Sequence, residues 1–269
     1  LEGYNPIITP KTYELDTAVK ILVDAKRPVI IAGGGVISSG SGKELTALAE
    51  LLMAPTATTL MGKGAIPSNH PMSLGLCGMH GRHEANYMVP DADVLLVVGA
   101  RFSDRTTATL SGFAPNAKII HIEIDRSEVD KNISSLTQVV GDAKHALAGI
   151  IKRLKVEIIR KNGWHKKIAE YRKYCEPYDY GPGINSPAVM RAIREALPGD
   201  AFVTTDVGQH QMFAALHYDV QEPGTFLSSG GLGTMGFGVP SAIGAKAAAP
   251  DKKVLTICGD GGFHMTENN

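Results

Sequence analysis

Near the end of this chain a short apolar run stops at an acid set among glycines: Val254-Leu255-Thr256-Ile257-Cys258-Gly259-Asp260-Gly261-Gly262. A run of this kind, short and rich in β-branched residues, reads as a strand buried on both faces, and such strands belong to parallel sheets. Ligands of open α/β sheets bind outside the C-terminal ends of the strands, so Asp260 is delivered to a ligand position. Glycine there lets backbone approach a phosphate closely, and a carboxylate can hold a hard cation such as Mg²⁺ through oxygen. Upstream lies a glycine-rich loop, Ser228-Ser229-Gly230-Gly231-Leu232-Gly233-Thr234-Met235-Gly236-Phe237-Gly238. Together, loop and acid turn point to a diphosphate group bound with a metal. Taken singly, the second is a plain turn and the first a tight connection in a small-residue core.

The same grammar recurs earlier. Pro28-Val29-Ile30-Ile31-Ala32 runs into Gly33-Gly34-Gly35, and Asp93-Val94-Leu95-Leu96-Val97-Val98 into Gly99. Lys118 to Asp125 reads as a further strand. Helical patterns lie between them, over 14–26, with Leu15, Ala18, Val19 and Leu22 on one face, and over 43–53. A third is opened by Asp142, with Ala146, Leu147, Ile150, Ile151 and Leu154 as its apolar side. Residues 55–60 read as a short extended stretch. Alternating strands and helices imply α/β architecture, a doubly wound parallel sheet of Rossmann-like form. Residues 155–183 turn rich in Lys, Arg and Tyr, with a helix expected in the first part and a linker in the last. A second α/β domain then begins at Ser186-Pro187, read as an N-cap followed by Pro at the first helical position. It continues through a helix over 188–197, a strand over 201–206, a helix over 241–249 and the strand that presents Asp260. The expected organisation is a linker over 1–13, a central domain over 14–160, a linker over 161–184 and a second domain from 185 to 269.

Composition excludes several classes. The chain has 27 basic and 27 acidic residues, so nothing favours a nucleic-acid or membrane-surface partner. Its 43% hydrophobic content supports a sizeable core. No apolar stretch approaches the roughly 20 residues needed to span a bilayer, and no basic-then-apolar leader opens the sequence. Cys77, Cys175 and Cys258 are scattered without a disulfide pattern, which fits a reducing cytoplasm. The first residue is not Met, consistent with an excised or incomplete chain.

Further candidates follow from position. Gly33 and Gly34 after a strand suit a dinucleotide pyrophosphate or a tight turn. Arg101, after Gly99 and Ala100, can pair with a phosphate or stack on a ring, or else form a surface ion pair with Asp104. Glu123 and Asp142 can accept hydrogen bonds from a ribose or adenine, or act as solvated acids or helix caps.

The motifs add up to a family resemblance. Gly259-Asp260-Gly261, Val207-Gly208-Gln209-His210-Gln211-Met212 and Ser229 to Gly238 resemble the thiamine-diphosphate segments of the acetolactate synthase (acetohydroxyacid synthase) catalytic subunit. Gly75-Leu76-Cys77-Gly78-Met79-His80-Gly81 and Gly99-Ala100-Arg101-Phe102-Ser103-Asp104-Arg105 resemble its flavin-binding segments. The likeness covers nearly the whole chain. Two departures stand near the flavin: Cys77 for a more usual aliphatic residue, and Ser103 for a frequent Asp.

The resemblance implies FAD in the central domain. Gly33 and Gly34, the flavin contacts Gly78, Met79 and His80, and the strand-end residues Gly99, Ala100, Arg101, Phe102 and Ser103 would hold it. Glu123, Ile124, Asp142 and Ala143 would serve its adenosine end. The flavin's role in the family is mainly structural. In the second domain, the truncated cofactor-binding part, Gln209 and His210 would bind the diphosphate, and the Gly233 carbonyl would accept a hydrogen bond from the exocyclic amine. Thr234 and Met235 would follow, Met235 wedging between the two rings. Asp260 would ligate Mg²⁺, beside Gly261 and Gly262. The implied reaction decarboxylates pyruvate on thiamine diphosphate and joins the two-carbon unit to pyruvate or 2-oxobutyrate, early in branched-chain amino-acid synthesis. A homodimer or homotetramer is expected, with a possible small regulatory subunit. The family's activating Glu comes from an N-terminal domain outside this sequence, so the chain alone is expected to be inactive. The alternatives are a pyruvate oxidase, a glyoxylate carboligase, or a non-catalytic FAD-binding module.

Overall fold

The computed structural model describes residues 8–154, 163–174 and 183–268. They fall into two compact units, with Pro67–Asn69 belonging to the second.

The first unit is a six-stranded parallel sheet made of β1 (Pro28–Ala32), β2 (Thr56–Thr58), β3 (Ser73–Leu76), β4 (Val94–Val98), β5 (Lys118–Glu123) and β6 (Thr137–Val140). The order is β3-β2-β1-β4-β5-β6, so the winding reverses between β1 and β4. The accompanying helices are α1 (Thr12–Asp24), α2 (Gly34–Ser38), α3 (Gly42–Leu52), α4 (His83–Met88), α5 (Asp104–Thr107), α6 (Ala143–Arg153) and α7 (Lys167–Tyr174). Alternate residues of one strand enter different cores, because successive side chains point to opposite faces. Ile30, Leu96 and Ile120 pack with Leu15, Leu48 and Leu147 from α1, α3 and α6. Val29, Ile31, Leu95 and Val97 pack on the other face with Ala85 and Met88 of α4, Trp164 and Ile168. All five residues of β1 and of β4 are buried, which is why both read as unbroken apolar runs.

Several expectations shift here. The expected 1–13 linker is part of the unit where it is described: Asp142 N–H donates to the Ile8 carbonyl, and α1 already begins at Thr12. The helix expected early in 155–183 and the linker expected over 161–184 lie partly outside the described residues. The described part is packed: Trp164 and Ile168 are core residues, and Trp164 Nε1 donates to the Pro28 carbonyl at 3.1 Å. Strands β3, β6 and β8 (Phe226–Ser228) went unread, being short and without long apolar runs.

The second unit holds a three-stranded parallel sheet of β7 (Phe202–Thr205), β8 and β9 (Val254–Ile257), in the order β8-β7-β9. Its helices are α8 (Ser186–Ala196), α9 (Gln209–His217), α10 (Gly238–Ala248) and α11 (Asp260–His264). Met190, Val203, Ala214, Tyr218 and Val220 form its core. The cap of α8 is Asn185 rather than Ser186: its side chain accepts from Ala188 N–H at 3.0 Å, and Pro187 lies in the first turn. Pro67–Asn69 joins this unit through Ser68, whose N–H donates to the Val220 carbonyl at 2.9 Å.

Where β1 and β4 end, two chain segments touch. Gly99 sits at φ +58°, and a Cβ there would lie 2.5 Å from the Gly35 Cα, while one on Gly33 would lie 2.1 Å from the Gly99 oxygen. Gly40 has a similar φ of +61° but open space around it. Left-handed backbone alone costs an Ala about 1–2 kcal/mol; overpacking adds about 1–3 kcal/mol. Urea unfolding should therefore show a loss of about 1 kcal/mol for Gly40→Ala and about 3 kcal/mol or more for Gly99→Ala. Equal losses would mean that the contact between the two turns carries nothing.

Candidate functional site

The first-unit candidates all sit at the C-terminal edge of the six-stranded sheet. Gly33 follows β1 as the N-cap of α2, and its N–H donates to the Val98 carbonyl at 2.8 Å. Gly34 opens α2, with Met61 3.1 Å from where its Cβ would be. Gly99 to Ser103 follow β4, and Ser103 caps α5. The Arg101 side chain is exposed and forms no ion pair among the described residues; Asp104 pairs with Arg105 instead, at 3.8 Å. Gly78, Met79 and His80 follow β3. Gly78, at φ +101°, donates its N–H to Asn86 Oδ1 and accepts from Asn86 Nδ2, both at 2.9 Å. Met79 N–H donates to the Arg105 carbonyl at 2.9 Å, so the segments 75–81 and 99–105 are brought together. Met79 and His80 face solvent. A cavity of 280 Å³ opens beside this contact, lined among others by Cys77, Gly78, Asn86, Thr107 and Phe113.

Glu123 ends β5, and its Oε1 accepts from the N–H groups of Ile124 and Asp125 at 2.9 and 3.1 Å. Asp142 caps α6, its Oδ1 accepting from Lys144 and His145 N–H, with Ala143 the first helical residue. Gly141 N–H donates to the Glu123 carbonyl at 3.0 Å, which places these two acids side by side along the edge.

Sequence reasoning missed what holds the β4 turn. His121 on β5 is fully buried, and its Nε2 donates to the Ala100 carbonyl at 2.9 Å. Its ring meets that of Phe102 edge-on at 4.9 Å, and Phe102 also meets Phe113 at 6.0 Å. Phe102 has φ +52°, a conformation unusual for a bulky residue. Packing between the two rings holds it there and turns Arg101 outward. Burial pushes the His121 pKa below the ordinary histidine value, against the opposing effects of the Ala100 bond and of Glu123, Asp130 and Glu128.

The second-unit candidates gather at the C-terminal ends of β7 and β9. Gly208 caps α9, so the N–H groups of Gln209 and His210 open that helix. Helix-opening N–H groups have no partner within the helix and suit an anion. His210 Nε2 is buried and has no hydrogen-bond partner among the described residues. A Cβ on Gly259 would lie 3.3 Å from His210, and one on Gly233, at φ +64°, would lie 3.9 Å from Val207. Gly233 N–H donates to the Ser229 carbonyl, and Thr234 N–H to Ser229 Oγ, each at 3.0 Å. Met235 is 45% exposed and reaches over Gly261, whose Cβ would stand 3.6 Å from its methyl carbon. Asp260 is exposed and opens α11, so the expected turn is the first turn of a helix. Among the described residues no cluster of three or more His, Cys, Asp or Glu is placed to hold a metal.

Comparison with known proteins matches this geometry. Residues 15–150 match the thiamine pyrophosphate enzyme central domain, and residues 206–269 match the thiamine pyrophosphate enzyme C-terminal TPP binding domain. The chain belongs to the thiamine pyrophosphate enzyme family. It is 46% identical over 98% of its length to the probable acetolactate synthase large subunit of Methanococcus aeolicus, covering 47% of that protein. Identity is again 46% to the probable large subunit of Methanocaldococcus jannaschii, with 98% and 46% covered. It is 41% to the acetolactate synthase isozyme 3 large subunit of Escherichia coli, with 98% and 47% covered. The chain spans about half the length of the curated relatives it matches. No described helix is long and apolar enough to cross a membrane.

The buried His121 gives the first unit an acid sensitivity. Its pKa is lowered on folding, so the unfolded chain takes up this proton first as pH falls through the ordinary histidine range near about 6.5. Stability is complete above that range and declines as pH drops toward the lower folded value. His121→Gln keeps an N–H for the Ala100 carbonyl and removes the titration. Unfolding free energies between pH 7 and 5 should fall less steeply in this variant than in the parent. Parallel slopes would contradict the assignment.

Proposed function

We propose that this chain is the middle and cofactor-binding part of an acetolactate synthase catalytic subunit. The observation that carries the reading is the cradle at the ends of β7 and β9, where His210, the Gly233–Met235 loop and Gly261 meet. The names of the relatives favour that reaction, and none of those reported above supports a pyruvate oxidase or a glyoxylate carboligase. The orphaned His210 Nε2 and the α9 N-terminus suit a diphosphate, with Gln209 beside them, and Asp260 at the edge can join Mg²⁺ to it. Gly261 leaves room for close approach, and Gly262 follows it in the same turn. Thiamine diphosphate, when bound, supplies the electron sink for losing CO₂ from pyruvate. The chain's own residues would bind and orient it: the Gly233 carbonyl would accept a hydrogen bond from its amine, with Thr234 next in the loop and Met235 packed against it.

FAD is proposed for the first unit. From β3 to β6 the row of turns extends roughly 24 Å at about 4.8 Å per strand, which suits an extended dinucleotide lying along the edge. Gly33, Gly34 and Gly99 to Ser103 lie at the winding reversal, where dinucleotides bind in such sheets. Arg101, exposed and without an ion pair among the described residues, is available for phosphate or ring. Gly78, Met79 and His80 would face the flavin; Glu123, Ile124, Asp142 and Ala143 would face the adenosine. Pyruvate and 2-oxobutyrate are the proposed substrates, with assembly as a homodimer or homotetramer and a small regulatory subunit as a further partner.

The test uses the full-length gene product with Mg²⁺, thiamine diphosphate, FAD and pyruvate, with acetolactate assayed after acid conversion to acetoin. Acetolactate should form only with thiamine diphosphate present. Removing a charged hydrogen bond costs about 1.5–3 kcal/mol, so Arg101→Ala should weaken FAD binding about tenfold or more. Acetyl phosphate or tartronate semialdehyde as the product, or FAD binding unchanged by the substitution, would refute the corresponding part.

A further inference from the structure

Asp206 was read only as the last residue of a strand, yet the two turns of the second-unit cradle are built around it. It follows β7, the central strand, and is fully buried. Its Oδ1 accepts from Val207 N–H at 2.8 Å and from Gly236 N–H at 3.0 Å, while Oδ2 accepts from Gly238 N–H at 2.8 Å. Burial opposes ionisation, but these three N–H donors and the nearby His210 outweigh it and hold the carboxyl below its ordinary range. The socket is walled by glycine from two separate turns. A Cβ on Gly238 would lie 2.9 Å from the Asp206 nitrogen, and one on Gly262 would lie 2.5 Å from Oδ1. Gly262 and Gly238 are therefore glycines because the acid fills their side-chain space.

We infer that Asp206 is a positioning residue that fixes the glycine loop against the Gly259–Gly262 turn before the cofactor arrives. This rests on the thiamine diphosphate reading of the same cradle. The loop carries Gly233 and Met235, and the turn carries Asp260; one carboxylate sets the spacing between them. Both of its oxygens are taken up by backbone N–H groups and the side chain is buried, so it acts through the two turns. Both oxygens accept, so an Asn in its place turns one acceptor into a donor facing another N–H. The backbone of the loop then loses at least one charge-assisted bond, which is worth roughly a ten- to hundredfold change in an equilibrium that depends on it.

The experiment measures thiamine diphosphate affinity, FAD affinity, kcat and KM for pyruvate on the full-length protein and on Asp206→Asn. The expected result is a dissociation constant for thiamine diphosphate raised about tenfold or more, a lower kcat at saturating cofactor, and unchanged FAD affinity and pyruvate KM. A second route approaches from the other turn. Gly262→Ala intrudes on the Asp206 carboxylate and should weaken thiamine diphosphate to a similar degree, and adding Asp206→Ala should cost less than the sum of the two single losses, because the two sites share one space. This double-mutant cycle decides the matter if Asp206→Asn does not fold. Full thiamine diphosphate affinity and kcat in a merely less stable Asp206→Asn, or additive effects in the cycle, would overturn the inference and leave the cofactor assignment standing. A parent protein that binds no thiamine diphosphate would overturn both.

Discussion

Strands covered on both faces leave only their ends for chemistry. In the first unit β1 and β4 are buried along their whole length, with α1, α3 and α6 on one side and α4 and Trp164 on the other. Every candidate residue of that unit therefore lies at a strand's C-terminal end or just beyond it, at one edge of the sheet. In the second unit β7 is buried from Val203 to Thr205 over a smaller core, whereas β9, expected to be buried on both faces, is only half-buried along its length. Parallel order makes this possible, since all C-terminal ends then point the same way and a long ligand can meet several turns at once.

The turns themselves are held by a few polar contacts beneath them. Below the β4 turn, a neutral, buried His121 donates to Ala100 and braces the strained Phe102. Below the glycine loop, Asp206 collects three backbone N–H groups. The two solutions differ in charge. A buried carboxylate is tolerable because it is surrounded by donors, whereas the imidazole is kept uncharged by burial. Both leave the outer side of the turn free to meet a ligand.

Much of this was legible in the sequence. The unbroken runs gave β1, β4 and β9 to within a residue or two, and the capping role of Asp142 was one of two readings that composition left open. The glycines pointed to close approach but not to what approaches. At Gly33, Gly35 and Gly99 it is the chain itself, and at Gly238 and Gly262 it is Asp206. No spacing rule marks a partner 21 residues away, as for His121, or 30 and 32 away, as for Asp206, so both looked like ordinary strand residues. Strands β3, β6 and β8 were hidden because Ser73–Leu76, Thr137–Val140 and Phe226–Ser228 are too short to show a period. Asn185 took the cap from Ser186 because its side chain reaches the N–H of Ala188, a choice that a Ser-Pro pair does not reveal.

If the two strand-end cradles take the two cofactors proposed for them, each cofactor protects its own set of turns. Hydrogen–deuterium exchange of the full-length protein, with FAD and with thiamine diphosphate plus Mg²⁺ added separately, tests it most directly. FAD should protect the amides around 33–35, 78–80, 99–103, 123–124 and 142–143, and leave the second unit's cradle unchanged. Thiamine diphosphate should protect 207–211, 233–238 and 259–262. FAD protection falling on the second set, or thiamine diphosphate protection on the first, would contradict the account.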